Sequence, residues 1–253
     1  FESMNEESDG TYDGDPNKEY YANLNQYNQI FVDTVRGTGE KNTHRWLLVP
    51  GWNTNIEYTI GDYGFEMPTD EKCSAGESRM MVSVHYYDPW DYCGIEDLKT
   101  ILWGEYGDNL IEVNGFPKMN KAKWGDESYL DDLFSRMQEK FVKNDIPVII
   151  GEYGCIDKSS AYADFAGQIQ GNRAYWDGYV AGKAASMGMI PVYWDNGFNG
   201  VYGFGLFDRN TYEQTQPEII STILKAVKNK DPKAGLDTVV ENKAEKTDEA
   251  HAY

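Results

Sequence analysis

With 253 residues and 40% hydrophobic content, the chain is long enough to bury a sizeable core and is not a disordered polymer. Its net charge of −19 argues against nucleic acid as a partner, because a phosphate-tracking groove needs clustered Lys and Arg. No apolar run approaches the roughly 20 residues of a membrane span, so no membrane partner is expected.

In chain order, Glu6 opens a loop rich in Asp and Gly. Within it Asp9, Asp13 and Asp15 lack the spacing of a calcium loop and read as a solvated acidic stretch, with no metal implied. Leu24, Tyr27, Phe31 and Val35 share one helical face, and Gly37 stops that segment. Residues 45–51 read as a buried strand, followed by an irregular, Gly- and Tyr-rich stretch over 54–78. A second strand is predicted over 80–84, and residues 86–125 again fit neither period, as binding loops or lids often do. Leu130, Leu133, Phe134, Met137 and Phe141 form a second helical stripe, with Asp126 as its cap. Strands at 147–151 and 189–193 flank a helix expected from Asn172 to Gly188. A last helix has Pro217 in its first turn and Ile219, Ile220, Ile223, Leu224 and Val227 facing inward.

Strands that are apolar on both faces, alternating with helices, predict an α/β fold with a parallel sheet. From Asp231 the chain turns polar, so residues 1–230 read as one catalytic-type domain and 231–253 as a tail or linker. Cys73, Cys93 and Cys155 are an odd count without a C-x-x-C pair, which indicates neither a disulfide framework nor a structural zinc site. The chain opens Phe1-Glu2-Ser3, so a signal peptide is unreadable rather than absent.

Two carboxylates stand out by position. Glu152 follows Val148-Ile149-Ile150-Gly151, at the C-terminal end of a predicted strand, and Glu6 closes the opening segment. In a βα barrel such strand ends converge on the active face. A carboxyl pair there suits glycoside cleavage, which needs one proton donor and one ionised partner. Taken singly, each Glu is as readily an ion-pair or capping residue, His85 a satisfied core imidazole and Trp194 core packing.

The ordered set is more specific. Asn5-Glu6, His85-Tyr86-Tyr87, Gly151-Glu152-Tyr153-Gly154 and Tyr193-Trp194-Asp195-Asn196-Gly197 each close an apolar run. Over residues 1 to about 230 this resembles glycoside hydrolase family 5, in clan A. Val49-Pro50-Gly51-Trp52-Asn53-Thr54, Val84-His85-Tyr86-Tyr87-Asp88-Pro89-Trp90 and Gly203-Phe204-Gly205-Leu206-Phe207-Asp208-Arg209 bring it closest to subfamily 4, the endo-β-1,4-glucanases and xyloglucanases.

The resemblance implies the C-terminal five βα units, strands 4–8, of a (β/α)8 TIM barrel. The three N-terminal units, which carry an Arg and a His of the family pattern, are absent from this chain. It implies Glu6 as acid/base, Glu152 as nucleophile, and Asn5 on the 2-hydroxyl of the sugar being cleaved. His85 and Tyr87 would be the sixth-strand pair, with the Tyr hydroxyl on the nucleophile, and Trp194 the sugar platform. Trp52 and Asn196 join the substrate-binding set, and Trp90, Trp103, Trp124 and Phe198 are further stacking candidates. Glu7 stands where the family usually has Pro, which predicts an altered loop start.

The implied activity is retaining, endo-acting hydrolysis of cellulose, mixed-linkage glucan or xyloglucan by a secreted bacterial-type enzyme. Its partners would be a β-glucan chain and the missing barrel units, without cofactor or metal. A β-mannanase and a non-catalytic glycan-binding barrel fragment are the alternatives.

Overall fold

The computed structural model describes residues 1–9 and 16–234. Asp13, Asp15 and the tail from residue 235 lie outside the described residues. Leu47–Asn55 (β1), Met80–Tyr86 (β2), Val148–Tyr153 (β3) and Ile190–Tyr193 (β4) form one parallel sheet in the order β1-β2-β3-β4. The opening residues add a fifth parallel line, reduced to a bridge: Glu2 pairs with Leu48, whose N–H donates to the Phe1 carbonyl at 2.7 Å. All the predicted strands are therefore present. Leu47, Val49, Val82, Val84, Val148 and Ile150 have no exposed surface and bury one face of their strands, whereas Leu48, Met81 and Ile149 on the other face are only partly covered and Ile190 and Val192 of β4 are exposed.

The described chain folds as two compact units. Phe1–Tyr86, Ser135–Gly151 and Gly188–Ile190 make the first, and Tyr87–Phe134, Glu152–Met187 and the chain from Pro191 on make the second.

In the first unit, helix α1 (Lys18–Gly37) is capped by Asn17, which accepts from the Tyr20 N–H. It buries Tyr21, Leu24, Asn28, Val32 and Arg36, while Tyr27 is exposed. The expected stripe is thus turned by about one residue, because two polar side chains face inward. Asn28 donates to the Pro50 carbonyl at 3.1 Å and accepts from the Ser3 hydroxyl at 2.6 Å. Arg36 grips Asp70 through two bonds of 2.7 and 2.9 Å and donates to the Asn42 and Arg45 carbonyls. Burial alone would push Asp70 up, but the Arg36 guanidinium and the Arg79 N–H outweigh it and hold the carboxyl below its usual range. The stretch read as irregular over 54–78 opens with a short helix, α2 (Ile56–Ile60), and is pinned by this buried ion pair. At the end of β1 the register slips between Pro50 and Asn55, and Asn53 and Thr54 both adopt left-handed backbone conformations.

The second unit includes α3 (Trp90–Cys93), α4 (Gly104–Asn114), α6 (Ala166–Ser186) and α7 (Pro217–Asn229). Helix α5 (Glu127–Lys140) starts in it, with Asp126 accepting from the Ser128 and Tyr129 N–H groups as its cap. Helix α6 starts six residues before the expected Asn172 and is buried on every side from Asn172 to Gly182. A Cβ on Gly178 would lie 2.6 Å from Thr222 Cγ2, so glycine there lets α7 approach closely. Helix α7 buries Ile219, Thr222 and Ala226, whereas Leu224, expected inside, is exposed. Helix α4 sits inside the 86–125 stretch, which therefore is not loop throughout. The Asn172 amide holds its start, accepting from the Trp103 N–H at 2.7 Å and donating to the Trp103 carbonyl at 2.8 Å.

Asp177 on α6 is fully buried, with the Cys155 thiol donating to it at 3.8 Å and Arg173 Nε at 4.0 Å. Burial outweighs the Arg173 guanidinium and pushes the carboxyl up to about 7. Its folded pKa thus lies above its unfolded one, so its contribution to stability is lost as pH rises towards 7. The stability gap between Asp177→Asn and the parent protein should therefore widen in the variant's favour by about 2 kcal/mol from pH 5 to pH 8. Denaturant melts at both pH values measure this, and a gap independent of pH would contradict it.

Candidate active site

Glu6 lies in the first unit, three residues after the backbone bonds that join the opening segment to β1. Its own backbone is left-handed, with φ of 50°, and the next carbonyl, that of Glu7, accepts from the Asn53 N–H at 2.9 Å. Three non-glycine residues in this conformation, Glu6, Asn53 and Thr54, are thus collected on two connected segments. Each costs on the order of 1–3 kcal/mol, a kind of strain that clusters at functional sites. The Glu6 side chain is 43% exposed, and its Oε1 lies 2.9 Å from Nδ1 of His85 near the end of β2. His85 is itself buried, so its ring is a fixed point against which the more open carboxylate is oriented. Asn5 is exposed beside Glu6.

In the second unit, Tyr87 directly follows the last residue of β2 and Glu152 is the penultimate residue of β3. The Tyr87 hydroxyl donates to Oε2 of Glu152 at 2.7 Å, a short, charge-assisted contact when the carboxyl is ionised. The Tyr87 ring is met edge-on by Trp90 and Phe204, both at 5.9 Å between centroids. Trp194 follows β4, is tied by its N–H to the Tyr153 carbonyl at 2.9 Å, and is 43% exposed. Asn196 is exposed, but its amide oxygen accepts from the Phe198 and Phe204 N–H groups, which gives it a part in shaping the 196–204 loop.

The remaining aromatics divide clearly. Trp90, Trp124 and Phe198 are exposed. Trp103 is fully buried, its indole donating to the Gly125 carbonyl at 2.6 Å, so it is core and not a sugar platform. Trp52 is only 9% exposed and stacks on Tyr20 at 4.9 Å. A tryptophan's place in a loop does not say which side of it faces water.

Phe204, which meets the Tyr87 ring, and Tyr193, whose hydroxyl donates to the Phe204 carbonyl, are not singled out individually by the sequence. The signal was present in the motifs that contain them, but a motif does not say which of its members touch.

Chemically, the first unit offers an open carboxyl hydrogen-bonded to an imidazole. The second offers a carboxyl held by a phenol, together with a half-exposed indole.

The Cellulase model of glycosyl hydrolase family 5 matches residues 1–200. Endoglucanase A of Paenibacillus barcinonensis is 48% identical over 231 residues, which cover 90% of this chain and 54% of that protein. A xyloglucan-specific endo-β-1,4-glucanase of Bacteroides ovatus is 30% identical over 215 residues, 84% of this chain and 39% of that one. The solved family 5 xyloglucanase from Paenibacillus pabuli, in complex with ligand, superposes with a TM-score of 0.81 at 48% identity. That match covers 90% of this chain and 61% of the xyloglucanase. The chain thus spans about half the length of the relatives it matches, and its parallel sheet and helices are part of the (β/α)8 barrel of these neighbours.

Proposed function

The chain belongs to the cellulase family, glycosyl hydrolase family 5, and from that premise we propose that the protein carrying it cleaves β-1,4-glucans internally with retention of configuration. The observation that carries this reading is the 2.7 Å bond from Tyr87 to Glu152 at the end of β3. It fixes one oxygen of the carboxylate and so orients the group, as a nucleophile requires.

In the proposed reaction Glu152 attacks the anomeric carbon while Glu6 protonates the departing glycosidic oxygen. A glycosyl ester on Glu152 results. Glu6, now ionised, takes a proton from water, which attacks the same carbon, releases the sugar and restores both carboxyls. His85, 2.9 Å from Glu6, orients the acid. Asn5 hydrogen-bonds the 2-hydroxyl, Trp194 stacks under the sugar ring, and Asn196 shapes the loop beside it, while Trp52, packed on Tyr20, drops out of the substrate-binding set. No metal or organic cofactor enters these steps.

Xyloglucan is the proposed substrate within the β-1,4-glucans, supported by one relative being xyloglucan-specific by name and another being named a xyloglucanase. Polymers of this size stay outside cells, so the proposed site of action is extracellular.

The test is hydrolysis of xyloglucan and carboxymethylcellulose by the polypeptide that carries this chain. Viscosity should fall faster than reducing ends appear, and proton NMR of the earliest product should show the β-anomer. No hydrolysis would favour a glycan-binding role, and α-anomer appearing first would mean inversion and a different pair of groups.

A further inference from the structure

Beyond the two carboxyls, the second unit contains an unbroken line of contacts that starts at a buried cation and ends on Glu152. Arg173, on α6, is buried, with Asp177 one turn along the same helix. Its Nη2 donates to the Tyr193 hydroxyl at 3.1 Å, and that hydroxyl donates in turn to the Phe204 carbonyl at 2.9 Å. One phenol oxygen thus accepts from a guanidinium and donates to the backbone of the 196–204 loop, which fixes both its rotor and the loop. The Phe204 ring then meets the Tyr87 ring edge-on, at 5.9 Å and 71°. Tyr87 donates to Glu152.

The fit leaves no slack at the centre of the line. A Cβ on Gly154 would lie 3.2 Å from both Phe204 Cδ1 and Tyr193 Cε2, and its φ of 157° is one that L side chains rarely adopt. The Tyr193 ring is also met edge-on by Tyr153, the neighbour of Glu152, at 5.5 Å. A buried arginine is costly to desolvate, and a helix–strand contact needing only packing would be served by an apolar side chain.

We propose that Arg173 and Tyr193 are positioning residues for the reaction: they clamp the Phe204 carbonyl so that the Phe204 ring holds Tyr87, and through it the Glu152 carboxylate, in attacking geometry. This rests on the reading of Glu152 as nucleophile. A carboxylate displaced by a fraction of an ångström loses rate while the sugar still binds, so the effect belongs in kcat and not in KM.

The experiment is a double-mutant cycle in the full polypeptide, with Tyr193→Phe and Tyr87→Phe alone and together. Tyr193→Phe keeps the ring and removes the oxygen that joins Arg173 to Phe204. We expect kcat to fall about tenfold with KM within about twofold. The double variant should be no slower than Tyr87→Phe alone, because the brace acts through that phenol. Phe204→Leu, which leaves the buried Arg173–Tyr193 contact in place, should give the same loss and the same lack of additivity, and it stands in if Tyr193→Phe does not fold. An unchanged kcat per folded molecule, with only the melting temperature lowered, would overturn the proposal. So would losses that multiply with that of Tyr87→Phe. Glu152→Gln run beside them separates the two readings: if it stays active, the nucleophile assignment falls and the brace with it. If it is inactive while Tyr193→Phe turns over normally, the brace alone falls.

Discussion

Replacing Glu152 by Gln should lower turnover on a β-glucan by at least about 10⁴-fold, an added barrier of about 5.4 kcal/mol. The amide matches the carboxylate in shape and keeps an oxygen for the Tyr87 hydroxyl, now 2.7 Å from Oε2. It does not form the glycosyl ester, because a neutral amide is a poor nucleophile. Binding should survive, so the loss should appear in kcat. Trimming the side chain to Ala leaves room for a small anion. Azide should then restore turnover and release a glycosyl azide of inverted configuration, since only one displacement takes place. A Glu152→Gln protein with near-normal rates would sink the assignment, as would azide rescue with retained configuration.

The sheet was legible because its strands open on short, largely apolar runs, as parallel strands packed between helices do. The helices were legible only where the buried face is apolar. On α5 the stripe of Leu130, Leu133, Phe134 and Met137 is buried as expected, and so is Phe141 just past its end. On α1 it was displaced, because Asn28 and Arg36 face inward and a hydrophobic pattern assigns polar residues to water. Their burial is tolerable only through partners far off in sequence, Pro50 and Asp70, which periodicity does not reveal. Helix α4 was hidden for a related reason. Its buried positions are Gly104, Tyr106, Gly107 and Leu110, and two of the four are glycines that weaken any helical signal.

Around the candidate site, position and neighbours were readable to different degrees. Glu6 follows no apolar run, and its segment meets β1 only at the Glu2–Leu48 bridge, but His85, Tyr87, Glu152 and Trp194 each close or follow such a run, so their places at strand ends could be read directly. Which way a side chain turns could not. Trp52 and Trp194 both follow strand-like runs, yet one is packed on Tyr20 and the other is half exposed. The difference lies in what covers the ring, here a helix about thirty residues earlier in the chain, and no local rule encodes that.

Glu6→Ala should divide substrates by their leaving groups. On a β-glucan the departing oxygen is that of a sugar alcohol and needs a proton as the bond breaks, so loss of the acid should cost about 10²–10⁴-fold. On an aryl glycoside with an acidic phenol the leaving group departs unaided, and bond cleavage should proceed at close to the parent rate. The second step would still lack its base, so the glycosyl ester on Glu152 should accumulate. Stopped-flow should then show a burst of phenol followed by slow turnover. Azide needs no base to attack, so it should accelerate the slow phase and yield a glycosyl azide of retained configuration, the product of two displacements. The variant should fold, because the Glu6 side chain is 43% exposed. Opposite azide stereochemistry at two carboxyls distinguishes an acid/base from a nucleophile without reference to any rate. If Glu6→Ala lost the aryl glycoside and the β-glucan equally, with no burst, Glu6 would be serving the fold or the binding of substrate, and the proton donor would have to be another group.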